Sequence, residues 1–240
     1  MADEIHLETG GSTGVPIVLL HGLGSTADIW KGLIQGLGDR RWIAIDLPGH
    51  GGSKPLAGYS PERLALSIAQ QVPSGAVLLG HSLGGVVGLA LAQPSLALDP
   101  KAVFGLGIKV AWTPDELASM AQLAARPRQQ FETEADAHAR ALRLAGMTSG
   151  LLGRGVRLVN GKWETSFDPR AFGVGDPEVA TLVKGATCPL HLACGSDDPM
   201  VSVDQLRGFD HQADVMAGLG HNAMVDCPDD VINWLARHGC

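Results

Sequence analysis

The chain predicts an α/β fold, with a mostly parallel central sheet and helices on both faces. Short apolar or β-branched runs alternate with helical runs along the 240 residues, the pattern of parallel strands joined by right-handed crossovers. Several of those runs are apolar at nearly every position, as strands covered on both faces are. The helical runs open on capping residues, which separates them from the strands.

The strand candidates, in order, are Ile5–Glu8, Ile17–Leu20, Trp42–Ile45, Ala76–Leu79, Ala102–Ile108, Leu190–Ala193 and Asp214–Ala217. Among the helices, Ser60 precedes Pro61-Glu62-Arg63-Leu64, with proline at the first helical position. Asp176-Pro177-Glu178-Val179 repeats that device. Ser202 and Gln205 have the spacing of a capping box. Pro228-Asp229-Asp230 puts acidic residues where a helix dipole favours them. The run Gly85–Ala92 follows the fourth strand and reads as helix.

The alternation breaks between about residues 109 and 184. This stretch predicts two polar helices, Pro114–Ala125 and Arg128–Ala145. A hairpin of Val156–Val159 and Lys162–Ser166 follows, turning at Asn160-Gly161. The segment is too short and too polar for a sizeable core of its own, so it reads as a lid inserted into a single domain spanning residues 1–240.

Composition narrows the function. Hydrophobic content is 45%, charged content 18% and formal net charge −7, which fits a compact protein with no Lys/Arg cluster for nucleic acid. No apolar stretch approaches the ~20 residues that span a bilayer, so no membrane partner is expected. Met1-Ala2-Asp3-Glu4-Ile5 is acidic and has no apolar signal-peptide core. Cys188, Cys194, Cys227 and Cys240 lack metal-ligand spacing. Cys188 and Cys194 lie along one strand, ~20 Å apart and beyond disulfide reach. All four read as reduced thiols of a cytoplasmic protein, with Cys240 exposed.

The chemistry concentrates in Gly80-His81-Ser82-Leu83-Gly84, between the apolar run Ala76-Val77-Leu78-Leu79 and the helical run. Small flanking residues let the backbone take a strained strand-to-helix turn that lifts the Ser82 hydroxyl clear. The helix that follows turns its positive end toward a developing oxyanion. A nucleophilic serine needs a base, and the base an orienting acid. His221 follows Ala217-Gly218-Leu219-Gly220 at the carboxyl end of the last strand, where ligand sites of parallel sheets gather. The acid lies in Cys194-Gly195-Ser196-Asp197-Asp198-Pro199, after another strand, and either aspartate satisfies the order Ser…Asp…His. His21-Gly22-Leu23-Gly24-Ser25 supplies a second backbone donor, so the oxyanion-hole candidates are the N–H groups of Leu23 and Leu83.

These blocks, with Asp46-Leu47-Pro48-Gly49-His50-Gly51-Gly52-Ser53, resemble the α/β-hydrolase fold superfamily nearly end to end, and small bacterial esterase-like serine hydrolases within it. In that family the acid stands three residues after the loop glycine and directly before proline, which selects Asp198. The resemblance makes Ser82 the nucleophile, His221 the base and Asp198 the orienting acid, and treats Asp46 and His50 as structural. Phe167-Asp168-Pro169 is similar to a stretch in the small esterase-like members. Dehalogenases and epoxide hydrolases of this fold carry aspartate at the nucleophile, so the serine sets their chemistry aside.

The expectation is a serine hydrolase that cleaves carboxylic esters of small, fairly apolar substrates, with no metal and no organic cofactor. Rival readings are a thioesterase, a lactonase or a C–C bond hydrolase with the same triad. More distant ones are a lyase, a cofactor-free oxygenase and a catalytically silent binder. Trp112, Phe131, Phe167 and Phe172, the large apolar side chains of the inserted segment, are the candidate substrate-pocket residues.

Overall fold

The structure is a computed structural model that describes residues 4–150 and 152–240. Met1–Asp3 and Leu151, which belong to the expected domain and inserted segment, lie outside the described residues.

Strand β1 (Leu7–Gly10) leads into β2 (Thr13–Leu20), helix α1 (Lys31–Gly36) and β3 (Arg40–Ile45). Helix α2 (Pro61–Ile68), β4 (Val77–His81), α3 (Leu83–Leu91) and β5 (Ala102–Leu106) follow. Between β5 and the next strand of the main sheet lie α4 (Pro114–Ala124), β6 (Gln130–Phe131), α5 (Glu134–Leu144), β7 (Val156–Val159), β8 (Lys162–Thr165) and α6 (Val179–Gly185). The chain closes with β9 (Leu190–Gly195), α7 (Val203–Arg207), β10 (Asp214–Met216), α8 (Ala223–Asp226) and α9 (Pro228–Arg237).

The main sheet has seven strands in the order β1-β3-β2-β4-β5-β9-β10. Only β1 runs antiparallel; every other neighbouring pair is parallel. Successive side chains on a strand point to opposite faces, and the buried strands feed two separate cores. On β2, Val18 and Leu20 join Leu64, Ile68 and Val87 on one face. Ile17 and Leu19 join Trp30, Trp234 and Phe104 on the other. Both sets are almost fully buried, and each large side chain contributes ~1.5–3 kcal/mol by leaving water. An apolar core on each face explains why these strands read as continuous apolar runs.

Capping chemistry sets the helix starts. Ser60 accepts from Arg63 N before Pro61, and Ser202 and Gln205 form a reciprocal capping box, as do Thr113 and Glu116. The hairpin turns at Asn160 and Gly161, both at positive φ (50° and 80°), the two-residue geometry that suits Asn-Gly.

Three expectations need correction. Arg128–Ala145 is not one helix: Gln130–Phe131 pairs with Glu164 and Trp163 as a third strand beside the hairpin, and the helix starts only after Thr133 accepts from Asp136 N. Asp176 does not cap a helix. Its carboxylate accepts from Glu178 N in a local turn, and α6 begins after Glu178 at φ 45°. Cys240 is half-buried, with Arg40 Nη2 donating to its sulfur across 3.1 Å.

Polar ties, buried or half-buried, hold the stretch between β5 and α6 to the rest of the chain. Arg154 reaches Glu8 (2.7 Å), Asp28 (3.3 Å) and Asp46 (3.3 Å). Asp168 accepts from Tyr59 Oη (2.8 Å), and its backbone N–H donates to Gly49 O (2.7 Å). Helix α6 belongs to the main body, since Val179 and Leu182 lie in the same core as α3.

Candidate active site

Strand β4 delivers the chain to Ser82, which sits at φ 50°, ψ −117° and opens α3. A non-glycine residue there is strained by about 1–3 kcal/mol, and the surroundings hold it in place. Ser82 N donates to Leu106 O on β5 at 2.8 Å, and Ser82 O accepts from Gly85 N at 3.0 Å. The flanking glycines are steric requirements. A Cβ on Gly80 would stand 2.3 Å from Gly84 C, and one on Gly84 2.1 Å from Leu20 O. The helix can therefore pass tightly over two strand ends, and the turn stays sharp.

At the carboxyl end of β9, the Asp198 carboxylate is fully buried. Its Oδ1 accepts from Met200 N (2.8 Å) and its Oδ2 from His221 Nδ1 (2.9 Å). Its neighbour Asp197 turns away and accepts from Ser196 Oγ (2.9 Å). Of the two adjacent aspartates, it is Asp198 whose carboxylate faces the imidazole. His221 keeps 19% of its side-chain surface exposed, on the cavity side. Cys194 on the same strand is buried, its thiol pushed up to about 11 by burial and then by the Asp198 charge, so it stays protonated.

Ser82 and His221 both line a cavity of about 600 Å³. Leu23 and Leu83 line it too, beside Gly22 and Ser25 from the β2 loop. Leu83 is the first residue of α3, whose leading N–H groups have no intrahelical acceptor. Gly24 N donates to His50 Nε2 (3.1 Å) and Leu47 N to His21 Nε2 (2.9 Å), which locks the loop between β2 and the β3 loop. Burial lowers both imidazoles, His21 to about 4 and His50 to about 3, so both stay neutral acceptors in a structural role. Asp46 accepts from Ala27 N (2.7 Å) and Gly52 N (2.9 Å), away from the cavity.

Of the four candidate pocket aromatics, the structure brings Trp112 and Phe172 to the cavity wall. Phe131 instead lies on β6, paired with Trp163. Phe167 is buried between His50 and Phe172, with ring centroids 5.0 and 4.9 Å away. It supports the wall from behind and takes no part in lining it.

The sequence reading missed several contributors. Gly107, assigned there to a strand, lies one residue past β5 at φ +63°. A Cβ on it would stand 3.2 Å from both Asp198 Oδ2 and His221 Nδ1. Asn222 donates to Ala145 O (3.2 Å) and Gly146 O (3.0 Å), fixing the end of α5 beside His221. Lys109 pairs with Glu116 of α4 (2.5 Å) and lies 4.9 Å from the Trp112 ring centre. Both charged groups line the cavity, with Met120 and Met200. The available signal was position: residues 107–109 follow a strand at the carboxyl edge of the sheet, where ligand sites collect. Among the described residues, no group of three or more His, Cys, Asp or Glu is placed to hold a metal ion. Nor is any helix there long and apolar enough to cross a membrane.

Comparison with known proteins follows the same lines. Residues 17–234 match the alpha/beta hydrolase family. A pimeloyl-[acyl-carrier protein] methyl ester esterase of Methylococcus capsulatus is 43% identical over 90 residues, covering 37% of this chain and 35% of that protein. The matched stretch is thus about a third of the length of such curated relatives. An esterase of Mycobacterium tuberculosis is 29% identical over 253 aligned positions, covering 92% of this chain and 82% of that one. Among solved structures, a thioesterase domain from the curacin biosynthetic pathway superposes with a TM-score of 0.76 at 20% identity, covering 98% of this chain and 95% of that one. An N-acyl homoserine lactonase reaches 0.75 at 22%, covering 99% and 93%. At those identities the likeness is one of fold. The chain belongs to the alpha/beta hydrolase family.

Proposed function

We propose that this member of the alpha/beta hydrolase family is a serine esterase that cleaves carboxylic esters of small, fairly apolar molecules through an acyl-enzyme on Ser82. The observation that carries the reading is the buried Asp198 carboxylate bonded to His221 Nδ1 beside a cavity that also holds the strained Ser82. A bond to Nδ1 leaves Nε2 as the basic nitrogen, the tautomer a general base needs. Esterase relatives support the reaction class.

In this mechanism His221 Nε2 takes the Ser82 proton as Oγ attacks the ester carbonyl. The new oxyanion accepts from the Leu23 and Leu83 N–H groups, whose fixed dipoles act where charge develops. His221, now an imidazolium stabilised by Asp198, gives its proton to the departing alkoxide, and the alcohol leaves. Water, deprotonated by the same imidazole, attacks the acyl-enzyme, and collapse of the second tetrahedral species releases the acid and restores Ser82. The groups described act without a metal or organic cofactor.

Trp112, Phe172, Met120 and Leu144 give the cavity an apolar wall that suits an acyl chain. The part of the 109–184 segment that precedes α6 acts as the lid that supplies this wall. The test is a panel of acyl esters of increasing chain length, run beside matched thioesters, lactones and β-diketones. The reading expects the highest kcat/KM for oxo-esters. A preference of tenfold or more for another bond type would reassign the reaction.

A further inference from the structure

His81 is the residue of the turn that the mechanism does not use, and it is polar, 2% exposed and packed against His221 and Gly22. It directly precedes Ser82. Its Nε2 lies 2.9 Å from the backbone oxygen of His221, and its ring centre is 4.6 Å from the His221 ring. A carbonyl can only accept, so Nε2 carries the hydrogen and Nδ1 does not. Nδ1 is buried with no hydrogen-bond partner among the described residues. It faces Gly22, where a Cβ would stand 2.7 Å from Nδ1 and 3.3 Å from Ser82 Cβ.

Resting on the reading of Ser82 and His221 as the reacting pair, we propose that His81 is a positioning residue, which sets the main chain of the base against the turn of the nucleophile and the floor of the oxyanion loop. One planar side chain spans three separate parts of the site. Its ring edge abuts the β2 loop at Gly22, its backbone leads into Ser82, and its N–H fixes His221 from the carbonyl side while Asp198 fixes it from the ring side. A leucine or phenylalanine would fill the space and leave the His221 carbonyl without its donor. Burial, and then the neighbouring His221, hold the His81 imidazole well below the ordinary histidine range, so it stays a neutral donor while His221 cycles its proton. Only Gly22 can face it so closely, which ties the glycine of the oxyanion loop to the histidine of the nucleophile turn.

The experiment compares the wild type, His81→Gln and His81→Phe on one short-chain ester, with active sites counted by end-point titration with a fluorophosphonate. Glutamine can place an N–H near the position of Nε2, whereas phenylalanine keeps the ring and loses the donor. The expected result is a kcat per titrated site lowered ~10- to 100-fold in His81→Phe with KM nearly unchanged, since a small misplacement of a reacting group costs about that much. His81→Gln should recover most of the loss. A purely structural role would lower the number of titratable sites and leave kcat per site alone, and that result would overturn the proposal. So would equal losses in both variants. Failure of the wild type to be labelled at Ser82 would instead overturn the esterase reading on which the proposal rests.

Discussion

His221 Nδ1 donates to Asp198 Oδ2 across 2.9 Å, and the oxygen that accepts belongs to a carboxylate with no exposed side-chain surface. The neighbouring Asp197 lies one residue earlier in the same loop, where its carboxylate accepts from Ser196 Oγ and its backbone N–H donates to Leu219 O. Asp198→Asn should therefore lower kcat by ~10³-fold or more, because the asparagine amide disfavours the tautomer that leaves Nε2 basic. Asp197→Asn should stay within about threefold of wild type, as an exposed loop change removed from the imidazole. Steady-state kinetics of the two purified variants decide it, and a larger loss in the Asp197 variant would exchange their roles.

Gly107 lies against that hydrogen bond, where a Cβ would meet both of its atoms at 3.2 Å. Its φ of +63° and its place behind the pair leave a side chain no easy fit. Gly107→Ala should cost about 1 kcal/mol in stability through the backbone alone. It should lower kcat more than tenfold by pressing on the Asp198–His221 contact. Denaturant unfolding and kinetics of one preparation check both numbers, and unchanged kcat would mean that the pair tolerates displacement.

The wall of the cavity separates the aromatics. Trp112→Ala and Phe172→Ala should shift the dependence of kcat/KM on acyl chain length. Phe131→Ala should leave that profile as it is, and Phe167→Ala should lower the melting temperature first, because its ring is packed between His50 and Phe172. Ester panels and thermal melts of the four variants provide the comparison. A profile that none of the four alters would move selectivity to the β2 and β3 loops.

His21 and His50 give the fold a pH dependence. Both are neutral when folded, with values lowered to about 4 and about 3, while the unfolded chain protonates them near the ordinary 6.5. The unfolded state therefore binds more protons as pH falls below 6.5, so stability declines with falling pH through the window from about 6.5 down to 4. Each histidine contributes a slope of up to ~1.4 kcal/mol per pH unit there. Urea unfolding at pH 7 and pH 5 should show the loss, and the slope should become shallower in His50→Asn. A flat profile would mean that the two imidazoles are not held neutral.

Much of this was legible before the structure, for reasons that particular residues make plain. Ser60 and Ser202 announced their helices because a cap is a local hydrogen bond between residues two or three apart. The order of Ser82, Asp198 and His221 was visible because each follows a strand that ends on the same edge of one parallel sheet. Gln130–Phe131 escaped notice because a two-residue strand has no periodicity and exists only through its partner β8. Which face of the wall Phe167 occupies is set by His50, over a hundred residues away, and no spacing within the inserted segment records it. Gly107 looked like the end of an apolar strand. Its role depends on Asp198 and His221 arriving behind it from the other end of the chain.

The central claim is that Ser82 carries the acyl group, and trapping that covalent adduct tests it most directly. The protein would be mixed with a fluorophosphonate, or quenched in acid during turnover of a slow ester, then digested and mapped by mass spectrometry. The account predicts one modified residue, Ser82, with ester hydrolysis lost in step with labelling and neither reaction detectable in Ser82→Ala, whose kcat should fall at least ~10³-fold. Modification elsewhere, or near-wild-type hydrolysis by a folded Ser82→Ala variant, would contradict it.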